Sequence, residues 1–238
     1  MCGNNFWLPL CPITNSQKLK INNIMEHTKF IITINRECGS GGGEIARKLG
    51  DILDIPVYSK LALKSIEKKY NLTEVELEQI KASKRSWWDE FCHFYRQFGS
   101  MVDTADRLEQ EEEITSQKVY NAESAILKEA AQEESCIMVG RSGFHIFRNE
   151  PHVMKVLIIA NKEARVERIM QKQQLTKEEA EAVVDKIDET REIYTKTFAG
   201  CSRYDARNYD LVLNVTHIPT DHVAQFLAHI IQKRFHLG

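Results

Sequence analysis

The chain has 238 residues, enough for one large α/β domain or a core carrying an inserted subdomain, and with 42% hydrophobic and 28% charged residues it has an ordinary globular composition. Its 32 basic and 34 acidic side chains leave a net charge of −2, which excludes a global basic footprint for nucleic acid but not a local basic cleft. Six scattered cysteines form no C-x-x-C pair, eight histidines form no H-E-x-x-H, and no apolar run reaches membrane-spanning length; the expectation is a cytoplasmic protein with free thiols and no nucleic-acid or membrane partner.

In chain order, the first 28 residues show no periodic element and read as a poorly ordered extension. Phe6-Trp7-Leu8-Pro9-Leu10-Cys11 is short, proline-broken and preceded by no Lys or Arg, a poor secretory signal. Met25, five residues before the first strand, is a second candidate initiator. Residues 29–236 read as a single domain. Residues 30–35 are a β-branched apolar run, a buried strand. The turn Cys38-Gly39-Ser40-Gly41-Gly42-Gly43-Glu44 follows, then a helix over 44–53 with Ile45, Ala46, Leu49, Ile52 and Leu53 as its apolar side. Asp54-Ile55-Pro56-Val57-Tyr58 turns into a short second strand, which completes a βαβ unit.

Residues 59–135 are helical in pattern and read as an insertion. Thr73 with Glu76 fits a capping box, and Trp87, Trp88, Phe91, Phe94, Tyr95 and Phe98 fall on one helical face, read as core or as the surface of a homodimer ahead of a platform that stacks a base. Residues 104–134, acidic at the start and free of Pro and Gly, suit one long helix or two joined ones. Cys136-Ile137-Met138-Val139 is another buried strand, followed at once by Gly140-Arg141. Val153 to Ala160 is the next, and Asn161 is placed to cap a helix with Ala164, Val166 and Ile169 inward and Arg165 and Arg168 on a different side. Thr176 and Glu179 make a second capping box, opening a helix through Val183, Val184, Ile187 and Tyr194. Asp210 to Val215 is the last strand, and a helix over 220–234 closes the chain with Val223, Phe226, Leu227, Ile230 and Ile231 as its buried stripe. Strands alternating with helices predict a doubly wound parallel sheet, in which ligands bind beyond the carboxyl ends of the strands.

Three strand ends carry candidate chemistry. The glycine turn sits between a buried strand and a helix, where backbone N–H groups close around an anion. It lacks the lysine and hydroxyl that the pattern G-x-x-x-x-G-K-[ST] places after its last glycine. Ser40 can donate to phosphate. Glu44 favours the helix dipole but repels phosphate, and is read equally as a Mg²⁺ ligand, with Ser40, or as an ordinary first-turn glutamate. Arg141 presents a fork that matches phosphate oxygens. Arg165 and Arg168 form one basic group, and Lys186, Asp188 and Arg191 a second, which together suit a lid over a polyphosphate or a solvated face of i,i+3 pairs. Lys60, after the second strand, is a weaker phosphate candidate beside the reading as a surface lysine.

In this order, Ile32 to Ala46, Val139-Gly140-Arg141, Ile158-Ile159-Ala160 with Arg165 and Arg168, Lys186 to Arg191, and Tyr209 to Asn214 resemble the cytidylate kinase-like family of P-loop nucleoside-monophosphate kinases. The resemblance spans roughly residues 29–234 and is weakest over 60–135. It implies a three-layer α/β fold with a five-stranded parallel sheet, an acceptor-binding helical insertion (59–135) and a lid (165–195). It also implies an ATP-binding kinase with ATP and Mg²⁺ as cofactors, transferring a phosphoryl group to CMP or dCMP as the first guess. Gly39, Ser40, Gly41, Gly42, Gly43 and Glu44 would hold the donor, Arg141 and Lys60 the acceptor, and Arg165, Arg168 and Arg191 the transferred group, with Asp188 orienting a lid arginine. The chain departs from the pattern at Gly42, where cytidylate kinases have the lysine, and at Glu44, where they have threonine. It also departs at Gly43, where looser relatives often carry arginine, and at Ser59 and Ser142, where acidic residues are usual. The reading therefore leans to an enzyme, with a catalytically degenerate nucleotide-binding regulatory or interaction protein as the alternative.

Overall fold

In a computed structural model the residues described are 29–59 and 117–237. The Thr73–Glu76 capping box, the aromatic face from Trp87 to Phe98 and Lys60 lie outside them. Five strands, β1 (Ile31–Arg36), β2 (Val57–Tyr58), β3 (Cys136–Val139), β4 (Val153–Ile159) and β5 (Leu211–Asn214), form one parallel sheet in the order β2-β3-β1-β4-β5. The helices are α1 (Gly42–Leu53), α2 (Gln117–Glu133), α3 (Gly143–Ile146), α4 (Lys162–Gln173), α5 (Lys177–Ala199) and α6 (Thr220–Phe235), with a 3₁₀ turn at Ala206–Asn208.

The central strands read as continuous apolar runs because helices cover both faces of the sheet. On one face Ile32, Ile34, Val156 and Ile158 meet Ile45 and Leu49 of α1 and Val223, Leu227 and Ile231 of α6, all buried. On the other, Ile31, Met138 and Val153 meet Leu127, Ala130 and Ala131 of α2 and Phe147. A third apolar cluster joins α4 to α5 through Val166, Ile169, Ala180, Val184 and Ile187, and it includes Cys38 of the glycine turn. That contact ties the helix pair to the turn.

The register sets the carboxyl ends side by side. Ile34 lies opposite both Val139 and Val156, Gly140 donates its N–H to the Ile34 carbonyl (3.0 Å), and Glu37 donates to Ile158 (3.0 Å). The loops after β1, β3 and β4 thus open on one edge of the sheet. β1 lies between β3 on one side and β4 on the other, so β1 is where the connections diverge.

Within the described residues the sequence-based elements hold, with local differences; the N-terminal extension and residues 60–116 of the expected insertion lie outside them. The Thr176–Glu179 capping box forms in full, each partner bonding the other's backbone N–H. Asn161 occupies the N-cap of α4 but makes no capping bond; its side-chain oxygen accepts from Asn214. Arg165, expected on a different side from the inward residues, is buried. Phe226, expected in the buried stripe of α6, is 47% exposed, because Ala224 and Ala228 fill the contact with α1. The short helix α3 had no periodic signal, being only four residues long.

Candidate functional site

The glycine turn is a tight, inward-bonded loop. Gly39 and Gly41 have positive φ (74° and 82°), and Gly41 is the N-cap of α1. Ser40 is fully buried; its hydroxyl donates to the Glu37 carbonyl (2.9 Å) and accepts from the Gly42 N–H (3.3 Å), which fixes the turn from within. The first-turn amides of α1 and its dipole face the loop.

Two arginines of α4 hold the same loop from outside. Arg165 donates to the carbonyls of Ala160 (2.9 Å) and Cys38 (3.2 Å) and to Asp188 (2.6 Å). Arg168 donates to the Gly39 carbonyl (2.8 Å). A Cβ on Gly39 would lie 2.5 Å from the Arg165 carbonyl oxygen, and one on Gly41 would lie 3.0 Å from Arg168 Nη1. The glycines therefore admit α4 and its cations to the loop.

Asp188 of α5 is the hub. One oxygen accepts from the Cys38 N–H (2.9 Å), the other from Arg165, and Arg203 and Arg191 lie 3.6 and 4.0 Å away. Glu37 completes the frame, accepting from the Ala160 N–H (2.9 Å) with Arg165 at 3.5 Å. The carbonyl of Arg36 accepts from both Arg191 (3.3 Å) and Arg203. Burial, then the charge of Arg191, push the Arg203 guanidinium below its ordinary value. Tyr209 supports this wall: Asn35 donates to its hydroxyl (3.0 Å), which donates to the Arg203 carbonyl (2.7 Å).

Beside the glycine loop, at the ends of β1 and β3, lies a cleft lined by Asn35, Arg36, Gly140, Arg141, Ser142, Arg191, Tyr194, Thr195 and Arg203 among others. Four of these are arginines. Arg141 pairs with the buried Glu123 and lies over the Tyr194 ring (4.9 Å). The backbone leaves β3 through three successive left-handed residues, Gly140, Arg141 and Ser142, and the Ser142 hydroxyl donates to Thr195 (3.2 Å).

Glu44 lies on the other side of the loop. Its Oε1 accepts from Thr220 (2.7 Å) and pairs with Lys48 (2.7 Å), and Lys48 also reaches Asp221 (2.9 Å). Burial pushes the Glu44 carboxyl up, but its bonds to Lys48 and Thr220 outweigh this and hold it below its ordinary value. Ser40 and Glu44 thus have separate sets of partners. Among the described residues no cluster of three or more His, Cys, Asp or Glu side chains could hold a metal.

Of the predicted residues, Gly39, Arg165, Arg168, Asp188 and Arg191 form one linked network around the loop, Gly41 lies against Arg168, and Arg141 lines the neighbouring cleft. Gly43 is exposed, with no atom within 4 Å of where its Cβ would be, and Lys186 is exposed on α5. Arg36, Glu37, Arg203 and Tyr209 were not singled out as site residues. A charged pair at the end of a mostly apolar strand was the available signal for the first pair. Arg203 follows Gly200 in a segment without periodicity, so nothing marked it.

The model of the cytidylate kinase-like family matches residues 31–217. Among solved structures, an uncharacterized protein from Eubacterium ventriosum is similar over 87% of this chain and 100% of its own, at 22% identity and a TM-score of 0.64, which shows the shared fold. A gluconokinase from Sinorhizobium meliloti (9% identity, 87% of this chain and 94% of that one, TM-score 0.49) is more distant. So is a shikimate kinase from Acinetobacter baumannii (11% identity, 87% and 95%, TM-score 0.46). No curated protein matches the sequence.

Proposed function

This chain belongs to the cytidylate kinase-like family, and from that premise we propose that it is a phosphotransferase moving the γ-phosphoryl group of ATP to a nucleoside monophosphate, with CMP or dCMP as the first candidate. The carrying observation is the convergence of Arg36, Arg141, Arg191 and Arg203 in one cleft beside a glycine loop at the start of a helix. Such a site fits a polyphosphate: it concentrates donors and positive charge where an anion would sit, and the chain as a whole is slightly acidic.

In this reading the glycine loop and α1 bind the donor phosphates, and Arg141 orients the acceptor phosphate. An acceptor phosphate oxygen forms a bond to the γ-phosphorus as the bond from that phosphorus to the β–γ bridging oxygen breaks. ADP leaves and the acceptor becomes a diphosphate. The acceptor is mostly the dianion at neutral pH, so no general base is required. Catalysis is positioning and stabilisation of charge, which suits fixed guanidiniums. Asp188 acts on the arginines and the loop amide rather than on substrate. Direct ligation of Mg²⁺ by Ser40 and Glu44 does not fit: the Ser40 hydroxyl is buried and engaged within the loop, and Glu44 is paired with Lys48. A metal in this reading arrives with the nucleotide, and no step is assigned to it.

The test is ADP release from Mg·ATP with a panel of nucleoside monophosphates, CMP and dCMP first. Turnover that follows one acceptor and falls in Arg141→Ala and Arg191→Ala is the expected result. ATP binding without turnover in folded protein would instead support the non-catalytic reading, and neither binding nor turnover would reject both.

A further inference from the structure

Position 42 is where the P-loop pattern has its lysine, and here it is glycine. The backbone does not ask for glycine there: Gly42 is the first residue of α1 and is not among the residues with positive φ. Space does ask for it. A Cβ on Gly42 would lie 2.4 Å from Arg36 Cβ and 2.9 Å from Arg36 Cγ. At Gly140, on a different loop, a Cβ would lie 2.3 Å from Arg36 Nη1 and 3.4 Å from Cζ. A single arginine therefore accounts for the glycine at 42 and also packs on Gly140, whose positive φ of 76° independently favours glycine. Its stem crosses the Cα of Gly42, and its fork rests on the Cα of Gly140, in the cleft shared with Arg141, Arg191 and Arg203.

We infer that Arg36 supplies the cation that a P-loop lysine would supply, delivered from the end of β1 across the space that a side chain at position 42 would need. This rests on the phosphotransferase reading and adds a catalytic residue to it. The fork lies between the glycine loop and Arg141, where a phosphoryl group passes from donor to acceptor. Arginine there is not a copy of lysine: its planar fork can hold two phosphate oxygens at once, and it keeps its proton throughout. Lysine at 42 and arginine at 36 are sterically exclusive, so the loss of one and the presence of the other form a single exchange.

The test compares wild type with Arg36→Met, Gly42→Lys, Arg36→Gly and the double variant Arg36→Gly/Gly42→Lys, glycine being the residue at 36 that removes the Cβ a side chain at 42 would meet. The readouts are kcat/KM with the best acceptor of the panel, tripolyphosphate affinity by calorimetry, and thermal melting. Methionine keeps an unbranched stem along Gly42 and removes only the fork. Arg36→Met should melt within a few degrees of wild type yet lose roughly 100-fold in kcat/KM, the scale of removing one donor to a developing charge. Gly42→Lys alone should be both less stable and impaired. The double variant should regain at least about tenfold over Arg36→Gly, a recovery that a merely space-filling Arg36 would not produce. Activity of Arg36→Met within about threefold of wild type, or a Gly42→Lys protein as stable and active as wild type, would overturn the assignment while leaving the phosphotransferase reading intact. Wild type that neither binds tripolyphosphate nor transfers phosphate would overturn both.

Discussion

Asp188→Asn is the substitution that bears most directly on how the site is held together. The carboxylate is only 12% exposed, accepts from the Cys38 N–H and from Arg165, and has Arg203 and Arg191 within 4.0 Å. Asparagine has nearly the same shape and keeps an acceptor for the Cys38 amide, so what it removes is the negative charge among three guanidiniums. Breaking a buried ion pair by removing one partner costs about 3–5 kcal/mol, because the other charge stays buried. The remaining acceptors of Arg165, the carbonyls of Ala160 and Cys38, put the expected loss at the lower end, about 3 kcal/mol. For a domain of this size that corresponds to a fall in Tm of roughly 6–12 °C. Urea unfolding and thermal melting measure it. Millimolar tripolyphosphate should narrow the gap, since an anion that binds the folded state opposes the same repulsion. A variant within about 1 kcal/mol of wild type, with or without the anion, would refute the role of Asp188 as the hub.

Three further outcomes are expected. Gly43→Ala should be neutral or stabilising by roughly 0.5–1 kcal/mol through helix propensity, since nothing lies within 4 Å of the new Cβ, whereas Gly42→Ala should destabilise through its clash with Arg36; equal melting of the two would refute the steric difference. Thr176→Ala should cost about 1 kcal/mol by removing the capping box of α5, read from denaturant midpoints. Glu44 is held below its ordinary value of 4.5, so its contribution to stability is complete above that pH and is lost as pH falls through the lower folded value; Glu44→Gln should flatten this acid limb and leave the stability profile parallel to wild type above it.

The sheet was legible because its signals are local. The buried runs at 30–35, 136–139 and 153–160 are mostly apolar without strict alternation, as strands covered on both faces are, and each is bounded by charged, polar or turn residues. The capping box at Thr176 and Glu179 is legible for the same reason, since its four groups lie within one turn. The site was legible only where a motif marks it. Gly39, Gly41, Arg141 and Asp188 stood out by position after a strand or by spacing on a helix. Arg36 did not, because what identifies it is its contact with Gly42 and Gly140, one of them more than a hundred residues away in the chain. Arg165 was misplaced on α4 because its burial depends on carbonyls of two other loops, which no periodicity reports. Phe226 shows the converse: apolar identity at the right spacing did not bury it, and the buried side of α6 carries Ala224 and Ala228 instead.

The way the arginines are pinned also bears on function. Surface arginines usually find carboxylates, and each such pair removes the field that would attract an anion. Here many of the donors go instead to backbone carbonyls: Arg165 to Ala160 and Cys38, Arg168 to Gly39, and Arg191 and Arg203 to Arg36. A carbonyl satisfies an N–H and fixes the direction of the guanidinium while adding no negative charge of its own. Orientation and charge are thereby separated: the backbone supplies the first without cancelling the second. Asp188 compensates part of the cluster, with Glu37 beside Arg165 and Glu123 paired to Arg141, and the buried guanidinium of Arg203 is still pushed below its ordinary value. A site that must hold positive charge in fixed directions, ready for phosphate, needs the carbonyls.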